Sequence, residues 1–228
     1  MNLFEKFFLT GALIASVGVS YAQEITDVAL EIDDPEFLDL QSPDPDANTE
    51  SKSWTPKDWL EMEVKFKVKD VKPRIPADKT VPELTVKWFV VVRDPTTKKK
   101  QFLRLEKEIT HINIPIGEDI YTSVYFSPSA VRRLSGGRDR ADKSLFWGIG
   151  GEFYYKGRLR GYFATEKAKT KDGKPFWYAP ALSESKSVQL RDKSETPFKF
   201  FWWDRYAEIK PKDGSVAALP PAAGEAGK

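Results

Sequence analysis

One histidine, His111, and no cysteine are all the chain offers in imidazole and thiol chemistry. A histidine-based triad would need His111, which lies between Thr110 and Ile112 at a strand end with no nucleophile signature nearby. It reads as a partly buried or solvent-facing strand histidine. The same scarcity disfavours a zinc site. Asp33, Asp34, Asp44 and Asp46 are hard oxygen ligands of the kind calcium takes, but they lack the spacing and the glycine of an EF-hand loop and read as solvated. Glu152 and Glu166 are the one carboxylate pair that flanks an aromatic hairpin, and they read as exposed strand carboxylates. GIGG, from Gly148 to Gly151, sits inside a strand pattern with no helix after it, so it does not cradle a phosphate. The lysine runs Lys98 to Lys100 and Lys167 to Lys174 fall at turns and are solvated, not nucleic-acid contacts. No catalytic residue, metal or cofactor is assigned, and the chain is not read as an enzyme.

Aromatic chemistry is the better represented kind. PFKFFWWDRYAEIK, from Pro197 to Lys210, sets five aromatic residues in six positions and then turns to charge. Three roles fit such a stretch: a sugar platform, a membrane wedge, or the last strand of a core. Read as a strand, Phe198, Phe200 and Trp202 face the core, while Phe201 and Trp203 share the other face with Lys199 and Arg205 and need a cover. Phe201, Trp203 and Arg205 are therefore the candidate interface. Trp147, Trp177, Tyr178 and Trp203 are the candidate rings for stacking on a glycan.

The elements that must position these residues are strands. WLEMEVKFKVK alternates Leu60, Met62, Val64, Phe66 and Val68 against Glu61, Glu63, Lys65, Lys67 and Lys69, one face core and the other water. PELTVKWFVVVRD carries Leu84, Val86, Trp88, Val90 and Val92 on one face, with Phe89 and Val91 on the second, so it is central and covered on both sides. QFLRLEKEI pairs with it as a hairpin across PTTKKK. DIYTSVYFS is a further strand, and SPSAVRRLSGG is a short helix with Ser127 as cap and Pro128 first. LFWGIGGEFYYKGRLRGYFATE is a long hairpin turning at Lys156 and Gly157, its glycines permitting twist or a bulge. VQL near Val188 makes a short strand. Eight to ten strands with one short helix give an all-β, two-sheet sandwich.

At the head, MNLFEKFFLTGALIASVGVSYAQ has Lys6, an apolar run from Phe7 to Val19, and small residues Ser20 and Ala22. It reads as a signal peptide over 1–22 with the mature chain starting near Gln23, since a span needs about 20 apolar residues. Strand alternation follows over Glu24 to Ile32. Residues 33–53 read as an acidic linker that merely connects, 54–210 as the sandwich, and 211–228 as a disordered tail. Glu24 to Ser53 holds ten acidic residues against one lysine, whereas Trp54 to Lys228 is net +11, so the two parts attract where they touch.

WLEMEVKFKV and LTVKWFVVV, with the closing FKFFWWDRYAEIK, resemble a family of exported immunoglobulin-like proteins associated with type IV pilus genes in Verrucomicrobia, over about Glu24 to Pro211. The resemblance is one of overall pattern. It implies an immunoglobulin-like sandwich related to pilus or archaeal-type filament proteins, a place in the envelope, and no enzymatic activity. No functional residues carry over from it. The chain departs from prepilins in lacking their glycine, cleavage point and downstream glutamate, and from antibody domains in lacking the cysteine pair. Trp88, on a central strand, matches the core tryptophan of such folds. The reading is thus a non-enzymatic envelope structural or interaction protein, pilus-associated, in the periplasm or at the outer membrane or cell surface. Its partners are other envelope or pilus proteins or a second copy, with no nucleic acid and no integral membrane segment after signal removal. The alternative is a carbohydrate-binding module.

Overall fold

A computed structural model describes residues 24–44, 48–53, 55–94, 101–138, 145–165, 175–179, 182–184 and 188–212. In chain order its elements are β1 (Asp27–Ile32), β2 (Glu36–Gln41), β3 (Asp58–Lys72), β4 (Thr80–Arg93), β5 (Phe102–Pro115), β6 (Ile120–Phe126), α1 (Pro128–Leu134), β7 (Phe146–Tyr155), β8 (Arg158–Ala164), β9 (Ser183–Glu184), β10 (Arg191–Asp192) and β11 (Glu208–Ile209). The first sheet runs β1–β3–β6–β10, with β2 paired to the N-terminal half of β3; the second runs β11–β5–β4–β7–β8, with β9 parallel to β5. This is the all-β, two-sheet sandwich expected from the alternation, the immunoglobulin-like form of which the family resemblance implied. The predicted leader, Asp46, the lysine runs 98–100 and 167–174, Glu166 and the tail from 213 lie outside the described residues.

Strict alternation puts Leu60, Met62, Val64, Phe66 and Val68 of β3 against Val86, Trp88, Val90, Ile109, Ile149 and Phe153 of the second sheet, all buried. Phe66 and Phe153 meet across the core with ring centroids 4.9 Å apart. β4 is central, flanked by β5 and β7, and both its faces are covered as expected. α1 starts where the sequence placed it: Ser127 accepts from the Ala130 amide, and Gly136 and Gly137 follow with positive φ.

Along one edge the two sheets are pinned by polar groups. His111 of β5 is buried; its Nδ1–H donates to the Ala207 carbonyl at 3.1 Å, and the Thr122 hydroxyl of β6 donates to Nε2 at 2.8 Å. The carbonyl accepts only, which fixes this tautomer. Burial holds the imidazole at a pKa of about 4, so it is neutral. The partly or fully exposed histidine expected from sequence is instead a fully buried inter-sheet strut. Beside it Lys107 of β5 reaches Asp192 at 3.0 Å and Glu195 at 2.6 Å.

Three local expectations change. Residues 33–53 are not only a linker: Glu36–Gln41 forms β2, because Phe37 docks on the core and packs at a tilt against Phe146, ring centroids 5.3 Å apart. The strand expected at Val188 to Leu190 forms one step later, as β10. Glu61 and Glu63 do not face water; both are buried beneath a covering segment.

Candidate interaction surface

That covering segment is the aromatic stretch itself. It is not a strand until Glu208, because two caps in series coil it. Asp192 accepts from the Ser194 amide at 3.0 Å while the Glu195 carboxylate accepts from the Asp192 amide at 3.2 Å, a capping box that starts a 3-10 turn over Lys193–Glu195. Thr196 then accepts from the Phe198 amide at 3.2 Å, and Pro197 opens a second 3-10 turn over Pro197–Phe200. The sequence carried this signal, Asp-x-x-Glu followed by Thr-Pro, but the hydrophobic alternation overrode it. Beyond Tyr206 the chain crosses between the sheets. The Ala207 amide bonds the Tyr121 carbonyl of the first sheet, and the Lys210 amide bonds the Thr110 carbonyl of the second.

The coil sits on the outer face of the first sheet over a buried polar network. Tyr125 donates to Glu61 at 2.5 Å and Arg205 to Glu63 at 2.5 Å; the Tyr206 oxygen lies 2.9 Å from Glu61 and 2.8 Å from Glu63. Burial, with Glu63 close by, pushes the Glu61 carboxyl above its ordinary value despite these donors. Burial likewise pushes the Tyr125 and Tyr206 hydroxyls up, so both stay protonated and donate. The Arg205 guanidinium carbon also lies 3.6 Å over the centre of the Tyr121 ring. Lys193 donates to the Phe201 carbonyl and sits 4.9 Å over the Tyr206 ring, its pKa lowered by burial. Phe198, fully buried, stacks on Tyr125 at 5.7 Å and meets Trp59 edge-on at 5.9 Å.

Anchored this way, the segment turns its other rings outward. Phe200, Phe201, Trp202 and Trp203 are 65, 42, 47 and 68% exposed. Of the rings assigned to the core by alternation, only Phe198 is there; Phe200 and Trp202 are outside, because a coiled backbone does not alternate sides. Trp202 adopts φ +54°, a left-handed conformation uncommon for a bulky side chain, and the Arg205 amide closes the turn on its carbonyl at 3.2 Å. The Trp203 indole donates to the Phe200 carbonyl at 2.9 Å. The result is a ledge of four rings beside a cavity of about 530 Å³ walled by Lys199, Phe200, Trp203 and Ile209.

Of the candidate interface residues, Phe201 and Trp203 lie on this ledge, and Arg205, its side chain 42% exposed, stands at the base of it and pairs with Glu63. The candidate glycan rings are not gathered together. Trp177 is fully buried and presents no face to a sugar; Trp147 and Tyr178 are half-exposed on the outer face of the second sheet, away from Trp203. There Phe176 and Trp177 cover Phe89 and Val91. Glu152 proves buried and accepts from Trp177 at 3.1 Å, Tyr178 at 2.7 Å and Tyr154 at 2.6 Å. Gly148 and Gly150 serve this packing, since a Cβ on either would sit 2.6 Å from the Phe176 ring or 2.1 Å from the Trp177 ring. Asp33 pairs with Lys65 at 2.8 Å. Among the described residues no three acidic or histidine side chains converge as a metal site, and no helix is long and apolar enough to cross a membrane.

A protein-family model matches residues 21–213. A crystal structure of a protein from Akkermansia muciniphila, a verrucomicrobium, matches with a TM-score of 0.73 and 30% identity, over 83% of this chain and all of that one. No curated protein matches.

Proposed function

The chain belongs to the family that matches residues 21–213 and shares its fold with that Akkermansia muciniphila protein, and from this membership we propose a non-enzymatic cell-envelope interaction protein associated with a type IV pilus-like system. The observation that carries the reading is the ledge: four large rings held outward by an anchor of buried carboxylates, tyrosines and arginine. Each such ring gains about 1.5 to 3 kcal/mol on leaving water, so leaving four exposed is costly unless something covers them. Tryptophan is also a favoured anchor at the centre of interfaces. Among the described residues the catalytic candidates offer nothing comparable: His111 is neutral, buried and bonded on both nitrogens, and Glu152 accepts from several donors.

The test is co-sedimentation of the chain starting at Gln23 with the envelope fraction of a verrucomicrobial cell, compared with a Phe200→Ser/Trp203→Ser variant. The reading expects retention to fall with the variant while its melting temperature stays put. Unchanged retention removes the ledge as the docking surface. Loss on a polysaccharide column instead moves the protein to the carbohydrate-binding class.

A further inference from the structure

We propose that the cavity beside the ledge is a peptide-binding cleft whose occupant is this chain's own C-terminal segment, Val216 to Ala223, folded back over Phe200, Trp203 and Ile209 as a strap.

Three observations select this occupant. The first is the wall. Phe200, Trp203, Tyr206, Ile209 and Pro211 give the cavity of about 530 Å³ its apolar side. Its charged members balance, Lys193 and Lys199 against Asp204 and Glu208, and Glu208 already accepts from the Asn113 side-chain amide at 2.9 Å. A cleft with aromatic walls and no net charge selects an occupant that is itself apolar and uncharged.

The second is what the tail contains. Residues 214 to 224 read GSVAALPPAAG, eleven positions without a charge. The larger aliphatic side chains, Val216 and Leu219, stand next to the pair Pro220 and Pro221. Successive prolines favour the extended left-handed helix that docks in aromatic-lined grooves, and little entropy is left to lose on docking. A segment too poor in large side chains to fold by itself is not too poor to fill a groove.

The third is where the tail begins. Pro211 is part of the wall, and Lys212, the next residue, pairs with Glu195 of the capping box that starts the coil. The tail is thus rooted at the rim of the cavity. Asp213 and Gly214 follow, a turn pair of the kind that reverses a chain. Leu219 stands seven residues beyond Lys212, a reach of at most about 25 Å. On so short a tether the effective concentration is of order millimolar, so even a contact of about millimolar affinity is half-filled or better. A second copy's tail has no such advantage.

The strap takes the cavity side of Phe200 and Trp203, whereas Phe201 and Trp202 are not part of the wall. It goes beyond the docking reading, since an envelope partner covering the whole ledge has to displace it.

The test uses the absence of cysteine from the chain. Ala222→Cys, in the chain starting at Gln23, carries a single bimane label, whose emission tryptophan quenches on contact. Quenching independent of protein concentration is expected. Leu219→Ser/Pro220→Gly/Pro221→Gly should release the tail and raise emission about twofold or more, the change for a site at least half-filled. Trp203→Phe should raise it comparably, because the quencher is gone while an aromatic ring stays. Melting temperatures check that each variant is folded. Emission unaltered by the triple change overturns the strap, as does quenching that survives Trp203→Phe. Quenching that grows with protein concentration places the tail on a neighbouring copy, and the assignment within the chain falls. The readout uses no envelope fraction, so failure of the strap and failure of the docking reading are separate results.

Discussion

Tyr206→Phe isolates the anchor of the ledge. The substitution keeps the ring, its contact with Lys193 and its 6.2 Å approach to Tyr121, and removes only the hydroxyl that lies 2.8 Å from Glu63 and 2.9 Å from Glu61. One hydroxyl has one proton, so what is lost is a single bond to a charged acceptor, about 1.5 to 3 kcal/mol. The loss stays within that range because Tyr125 still serves Glu61 and Arg205 still serves Glu63. A change of about 2 kcal/mol corresponds to a fall of roughly 4 to 8 °C in melting temperature for a domain of this size. The effect should also depend on pH. The Glu61 carboxyl is raised in the folded state, so folding favours its protonated form, and stability falls as pH rises from the unfolded carboxyl value through the raised one. Removing a donor to the ionised form raises it further. The deficit of Tyr206→Phe is therefore larger at neutral than at mildly acidic pH. Urea unfolding followed by circular dichroism measures stability, and acrylamide quenching of Trp202 and Trp203 reports whether the ledge loosens. A deficit below about 0.5 kcal/mol, the scale of a surface change, or one that grows on acidification, would refute the anchor.

Acidification should also be felt at His111. Its folded pKa of about 4 lies below the ordinary 6.5, so the unfolded chain binds the proton first and stability falls as pH drops from 6.5 to 4, by about 3 kcal/mol in all; in His111→Gln, urea titrations across that range should show a shallower fall. Gly150→Ala should cost about 1 to 3 kcal/mol or more in thermal unfolding, because its methyl would lie 2.1 Å from the Trp177 ring, itself fixed by Glu152. Deleting Asp34 to Asn48 should lower the melting temperature clearly, since it removes β2 and the Phe37 contact with the core; an unchanged value would return the segment to linker status.

How much of this was legible depended on distance along the chain. The alternation in β3 and β4 named the core side chains correctly, because a strand's inward face is a local property. Which outward face meets water is not local. Glu61 and Glu63 are covered by Arg205 and Tyr206, more than 140 residues later. The ledge residues Phe201 and Trp203 were legible as aromatics on a polar side, though for a reason the structure replaces: the Asp192 capping box and Thr196-Pro197 coil the segment, so exposure follows from the turn and not from strand phase. Arg205 was grouped with them by that same phase; it is exposed beside them while its guanidinium pairs with Glu63. β2 was missed because the acidic composition of residues 33–53 hid three apolar side chains, Phe37, Leu38 and Leu40, two of which turn inward or lie half-covered.

The two outer faces of the sandwich use one device with opposite endings, and the contrast bears on whether the ledge is accidental. On each face a 3-10 turn of aromatic residues docks over buried carboxylate, Glu152 on the second sheet and Glu61 with Glu63 on the first. On the second sheet Gly148 and Gly150 clear the space into which Phe176 and Trp177 sink, and both rings disappear from solvent. On the first sheet Phe198 alone sinks, against Tyr125 and Trp59. The chain then adopts the left-handed backbone at Trp202, whose ring leans on Phe198 at 6.1 Å, and Phe200 to Trp203 stay exposed. This sequence therefore contains the means to bury such rings and applies them on one face only. A left-handed tryptophan costs of order 1 to 3 kcal/mol, and exposure of the four rings adds to it. Both costs run against folding, and burial of the ledge at the docking surface proposed above would offset them.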